Sequence, residues 1–226
     1  MRKRGFVIAI DGPSGAGKST AGRALAERLG YTFVDTGAMY RALALKAIER
    51  GVSLDSEAGL AELTRDTKIE LVSGGRTVFL DGRDVTALIR SRDVSVAASK
   101  ISIHPSVRRD MVARQRELGR EGGIVLDGRD IGTAVFPDAE VKFFLDADPV
   151  RRAERRHVEM SAAGSPTDRD EVERDLRARD QADSSRKDSP LIRAEDAIYL
   201  DTTVLIPAEV VEQMHAAIES KMAERA

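Results

Sequence analysis

With 226 residues, a formal net charge of −2 and 33% charged residues, the chain is sized for one compact domain with a modest insertion. It lacks the basic excess of a general nucleic-acid or anionic-membrane binder, so any anion site must be local. No cysteine is present, which excludes disulfides, a thiolate nucleophile and a cysteine zinc site.

The start, "MRKRGFVIAIDGPSG", has five apolar residues before Asp11. That is too few for a signal-peptide core or a membrane span, so a soluble cytoplasmic chain is expected. "FVIAI" (6–10) reads as a strand buried on both faces. "KSTAGRALAERLG" puts Ala21, Ala24, Leu25 and Leu29 at helical spacing and stops at Gly30. "YTFVD" is a second strand and "TGAMYRALALKAIERG" a helix ending at Gly51. This alternation predicts an α/β fold with parallel strands. From Val52 to Ile103 the rhythm changes: two strand-like runs flank Ser73-Gly74-Gly75, a hairpin signal that suits a small α+β insert. A helix over 105–123, strands at 124–127 and 141–147 and a helix over 149–160 with Pro149 in its first turn then follow. "SAAGSPT" (161–167) is breaker-rich and predicts a mobile loop. A charged helix over 168–183, a fifth parallel-type strand at 197–201 and a helix opening at Pro207 complete the chain. No long apolar segment suggests an exposed patch, which favours a monomer.

Four motifs carry chemistry. "GPSGAGKST" fits G-x-x-x-x-G-K-[ST] through Gly12, Gly17, Lys18 and Ser19, between a strand and a helix. In such a loop, Gly12, Pro13, Ser14, Gly15, Ala16, Gly17, Lys18, Ser19 and Thr20 wrap a triphosphate. Backbone N–H groups and the helix dipole face the phosphates, Lys18 bridges β- and γ-oxygens, and Ser19 ligates Mg²⁺. No N-K-x-D guanine reader exists, so a small-molecule kinase is favoured over a switch. "VDTGAMYR" (34–41) stands at a strand's carboxyl end, where open α/β sheets bind ligands. There Asp35 can orient a Mg²⁺-bound water, Thr36 can bond a base, and Arg41 can hold a phosphate; the plainer alternative is a Thr36 helix cap with Arg41 pointing outward. "LDGRDIGTAVFPDA" (126–139) brings Asp127, Arg129 and Asp130 to the same edge, or is a turn salt bridge. In "RARDQADSSR", Arg179, Asp183 and Arg186 share a helix face, by spacing alone a surface ion-pair ladder. Of 36 basic residues 28 are arginines, most of them expected on solvated faces.

Taken in order, "GPSGAGKST", "VDTGAMYR", "VAASKIS", "DGRDIGTAVFPDA" and "RARDQADSSRKDSPL" resemble the bacterial cytidylate kinases over nearly the whole chain. The resemblance implies a P-loop kinase with a three-layer core and five-stranded parallel sheet (1–50 and 105–226), a nucleoside-monophosphate-binding insert (51–104) and a short lid (155–168). It implies transfer of the γ-phosphate of ATP to CMP or dCMP with Mg²⁺. Thr36, Ser99, Arg108 and Asp130 would lie around cytosine, with Thr36 standing where many relatives have serine. Arg41 and Arg129 would hold the acceptor phosphate, Arg179 and Asp183 the ribose, and Arg186 phosphate and sugar, which displaces the ladder reading. Lys18, Arg129 and the lid arginine Arg155 would be catalytic, with Arg156 beside it and Arg151 and Arg152 as further arginines that could reach the triphosphate. Two rivals stay open on the residues alone: a kinase for a hydroxyl acceptor, with Asp35, Asp127 or Asp130 as base, and a non-catalytic nucleotide-binding module.

Overall fold

In the computed structural model, which describes residues 4–72, 74–162 and 168–224, the first chain run forms β1 (Val7–Asp11), wholly buried. It is followed by α1 (Lys18–Leu29), closed by Gly30 at φ 68°, a left-handed position that suits glycine. Next come β2 (Thr32–Asp35) and α2 (Thr36–Glu49). Farther on, α5 (Pro105–Gly119) leads to β6 (Ile124–Asp127), β7 (Val141–Asp146), α6 (Pro149–Ala162), α7 (Arg169–Ser184), β8 (Ile198–Asp201) and α8 (Pro207–Ala223). The five long-range strands form one sheet in the order β2-β6-β1-β7-β8, every pair parallel.

Side chains of a strand alternate between the faces of its sheet. Val7 and Ala9 therefore join Val34 and Leu126 against α2 and α5, with Leu43 and Met111 in the same core. Phe6, Ile8 and Ile10 join Phe33 and Phe143 against α1 and α8, with Leu25 and Met214. Two apolar layers on a central sheet make the three-layer core.

Between α2 and α5 the chain leaves this sheet. Helix α3 (Glu57–Arg65) precedes an antiparallel sheet of β3 (Ile69–Val72), β4 (Thr77–Leu80) and β5 (Arg83–Asp84), after which α4 (Arg92–Ile101) returns to the core. The hairpin expected around Gly74-Gly75 has Val72 opposite Thr77, with both glycines at positive φ; Ser73 lies outside the described residues. Of the loop expected at 161–167, Ser161 and Ala162 belong instead to α6; residues 163–167 lie outside the described residues. Several features had no individual sequence forecast: α3, α4 and a short 3-10 turn at Leu88–Arg90 in the insert, β5, only two residues long, and a turn of π-helix at Ile131–Val135.

Candidate active site

β1, β2 and β6 end side by side, and their carboxyl ends open into a cleft of about 800 Å³. After Asp11 the chain turns hard at Gly12 (φ 139°), where a Cβ would stand 1.9 Å from the Leu145 carbonyl oxygen. Only glycine fits there. Gly15 and Gly17 are also at positive φ, and Gly17 is the residue from which α1 starts. Ser14, Gly15, Gly17, Lys18, Ser19 and Thr20 line the cleft. Gly12, Pro13 and Ala16 support it from behind: Pro13 accepts a 2.6 Å bond from Lys18 Nζ, and buried Ala16 accepts one from Thr202 Oγ1.

Lys18 is buried without a carboxylate against its ammonium. Burial, then the nearby Arg129 charge, pushes its pKa down to about 7. Ser19 donates to Asp127 at 2.5 Å. Asp127 stands opposite Asp35 in the β2–β6 register, and burial followed by the Asp35 charge raises its carboxyl to about 6. Asp35 caps α2 by accepting from Ala38 N at 2.8 Å and receives Arg41 at 3.0 Å. Burial works against its ionisation, but Arg41, the Ala38 amide and Arg23 together outweigh it and hold the carboxyl below its ordinary range. The cap is thus Asp35, not Thr36, and Arg41 turns into the cleft, not outward. Thr36 is buried and donates to the Asp127 carbonyl at 2.6 Å.

Farther from the glycine loop, Arg108 from α5 forms a buried ion pair with Asp130, and its other amine donates to the Ser102 carbonyl. Arg129 Nε donates to Asp183 at 2.9 Å. Asp183 also has Arg186 at 3.2 Å and Arg179 at 3.9 Å. Burial alone would raise the Asp183 carboxyl; Arg129, Arg179 and Arg186 override it and hold it down. Helix α7 stops at Ser184, so Arg186 reaches Asp183 from beyond the helix, not from its face. Arg179 Nε and Arg186 Nη2 are buried, and although both face Asp183 neither makes a hydrogen bond of good geometry among the described residues. Such donors are costly unless an acceptor arrives.

Two expected residues stand elsewhere. Ser99 is absent from the cleft wall, to which α4 gives Arg92, Ser95 and Ala98 and the residue after it Ser102; the Ser99 carbonyl instead accepts from Ser102 Oγ. Arg155 is also absent from the wall. Its guanidinium donates to the Thr202 and Thr203 carbonyls, while Arg156, one residue on, lines the cleft. Arg152, one of the four arginines weighed for the lid, is buried and donates to the Ser14 and Ala147 carbonyls at 3.0 Å each while pairing with Asp180. It props the glycine loop, a role that its place in a run of arginines did not signal. Arg23, Arg76, Arg90 and Arg92 also face the cleft, a rim visible only once the insert folds against α1.

Magnesium fits the oxygen donors here. The Ser19 hydroxyl, Asp127 and the adjacent Asp35 offer a hard, two-carboxylate set of the kind the ion binds while retaining waters. No cluster of three or more acidic or histidine ligands exists among the described residues, so a fully protein-caged metal is not built.

The family model for cytidylate kinase matches residues 8–220. A cytidylate kinase of Geobacillus sp. is 51% identical over 95% of this chain and 97% of that protein. One from Citrifermentans bemidjiense is 44% identical over 99% and 97%. Among solved structures, a shikimate kinase from Bacteroides thetaiotaomicron (16% identical, covering 95% and 98%, TM-score 0.50) and a gluconokinase from Sinorhizobium meliloti (17% identical, covering 100% and 97%, TM-score 0.50) share the fold alone. With the family model matched across the glycine loop, the insert and the arginine-bearing helix, and relatives at about half identity over nearly the full length, the chain belongs to the cytidylate kinase family.

Proposed function

We propose that this kinase moves the γ-phosphate of ATP onto CMP or dCMP in the cleft, with base, sugar and phosphate each met by a distinct cluster. The buried Arg108–Asp130 pair carries the reading. Cytosine presents an exocyclic amine donor beside ring acceptors. A carboxylate accepts from that amine while a guanidinium donates to the acceptors. Uracil would set its O4 against the carboxylate, a repulsive match. Ser102 adjoins this pair through its carbonyl, and Thr36 lines the same cleft. Arg41 and Arg129 then take the acceptor phosphate. Asp183 takes the sugar hydroxyls, with the unsatisfied Arg179 and Arg186 donors completing the anion and sugar contacts.

The nucleophile is a phosphate oxygen whose group has its second pKa at about 6, so at neutral pH it is largely dianionic and needs no base. Asp35, Asp127 and Asp130 face Arg41, Ser19 and Arg108, and the reading uses all three to orient and to pair charge, none of them as a base. Lys18 exchanges its Pro13 carbonyl for the donor's phosphates. Converging guanidinium groups neutralise charge on the transferring oxygens. Magnesium, held by Ser19 with Asp35 and Asp127 through water, would add charge neutralisation on the β- and γ-phosphates. Residues 51–104 act as the monophosphate-binding insert and 155–168 as the lid, with Arg156 replacing Arg155 as the arginine that reaches the donor.

A coupled assay of ADP formation with ATP, Mg²⁺ and CMP, dCMP, UMP, AMP or GMP tests this. CMP and dCMP should turn over fastest. Faster turnover with another monophosphate sinks the base assignment; ATP binding with no transfer to any acceptor sinks the enzyme reading.

A further inference from the structure

The segment that presents Arg129 and Asp130 continues into the π-turn at Ile131–Val135, and its backbone hangs on Asp130 itself. The Asp130 carbonyl accepts from Ala134 N at 2.8 Å and from Val135 N at 3.1 Å, and the Ile131 carbonyl accepts from Phe136 N at 2.7 Å. Such i→i+5 turns are rare and sit in sequence where function needs them. Two charged side chains from other elements grip this one. Asp11, buried at the end of β1, accepts from Ile131 N and Gly132 N, each at 2.8 Å. From the opposite side, Arg116 on α5 donates Nε to the Val135 carbonyl at 2.9 Å and Nη2 to the Ala134 carbonyl at 2.7 Å. The fit at Gly132 is close: a Cβ there would lie 3.0 Å from Lys142 Cδ and 3.4 Å from Asp11 Oδ2.

We propose that Asp11 and Arg116 are positioning residues for the acceptor, holding the π-turn from its amide and carbonyl sides and so fixing where Asp130 and Arg129 stand. Neither lines the cleft, so both act through the turn. Asp11 adjoins Gly12, which makes one rigid strand end the common reference for the donor loop and the acceptor's base reader. Arg116 shares α5 with Arg108, two turns away on that helix. One helix therefore places both the Asp130 partner and the support of the turn that carries Asp130. The inference rests on the cytidylate reading for its choice of acceptor.

Asp11→Asn keeps the shape but replaces one acceptor oxygen with a donor, and Arg116→Ala removes both carbonyl contacts from an exposed position that does not threaten folding. Steady-state kinetics on both, with circular dichroism and melting curves alongside, should show KM for CMP raised by about tenfold and the preference of CMP over UMP reduced; KM for ATP should stay within about twofold in Arg116→Ala, and in Asp11→Asn, which also removes a charge near Lys18, it should move by less than KM for CMP. Arg116→Lys, retaining one donor, should fall between wild type and Arg116→Ala. Equal changes in both KM values, or an unchanged CMP-to-UMP preference in folded variants, overturn the proposal. If Asp11→Asn does not fold, Arg116→Ala decides. Should the wild type prefer another monophosphate, the cytidylate reading fails while the variants, assayed on that preferred acceptor, still judge the positioning role.

Discussion

Lys18 is the residue whose state must change most between the free and nucleotide-bound protein. Unliganded, it is buried, faces the Pro13 carbonyl, and has its pKa lowered to about 7. Phosphates arriving at the glycine loop favour the ammonium and raise that pKa again. At a pH of about 8 the free lysine is therefore largely neutral and the bound one charged, so ATP binding should take up a proton. Asp127, raised to about 6, and Asp11, raised to about 7, are already mostly ionised there and do not cancel the uptake. Calorimetry in two buffers of different ionisation enthalpy should give an uptake approaching one proton, absent in Lys18→Met. A buffer-independent heat for the wild type would show that the lysine is already charged. The lysine's identity was legible in "GAGKST"; its depressed pKa was not, because burial and the nearness of Arg129 are properties of the folded chain.

At the scale of elements, α1 lies unusually close to the sheet. A Cβ at Gly22 would stand 2.8 Å from Phe33 Cε2 and 3.0 Å from Ile10 Cδ1, so this glycine answers to packing inside a helix, where it otherwise costs stability. Gly22→Ala gains helix propensity but overpacks one buried ring and one buried aliphatic chain, and the net effect should be a loss of about 1–3 kcal/mol, read as a lower midpoint in urea. An unchanged or raised midpoint would mean α1 shifts freely. Much at this scale could be read from the chain: apolar runs marked the five parallel strands, Gly30 and Gly51 marked helix ends, and the glycine pair marked the hairpin. The two-residue β5 is too short to carry a pattern, and the π-turn depends on Asp11 and Arg116, both distant in sequence. Similarly, the spacing of Arg179 and Asp183 was visible, but the arrival of Arg129 from β6 and of Arg186 from beyond the helix was not.

Across the whole molecule, apolar packing is unevenly shared. The insert has no separate core: Val78, Leu80, Val85, Ile89 and Val94 belong to the same buried cluster as Val7, Leu43 and Leu126. The α6–α7 hairpin has only a small cluster of Ala153, Val172 and Leu176, with Met160 against it. It is joined to the body chiefly by polar contacts: Arg152 to Ser14 and Ala147, Arg155 to Thr202, and the fork of Arg92 onto Glu171 and Asp175. The Arg92 ion pairs are exposed and add little, and the buried polar links of Arg152 join the hairpin at one end only, whereas a shared apolar core makes distant elements unfold together. Hydrogen exchange should therefore release amides of α6 and α7 well before those of β4 and α4. Adding CMP with a non-hydrolysable ATP analogue should slow α6 and α7 most, because Arg156, Arg179 and Asp183 face the cleft from these helices. If α4 and the insert sheet exchange first, or if the nucleotides protect the insert and leave α6–α7 unchanged, the insert is the moving part and the hairpin belongs to the rigid body.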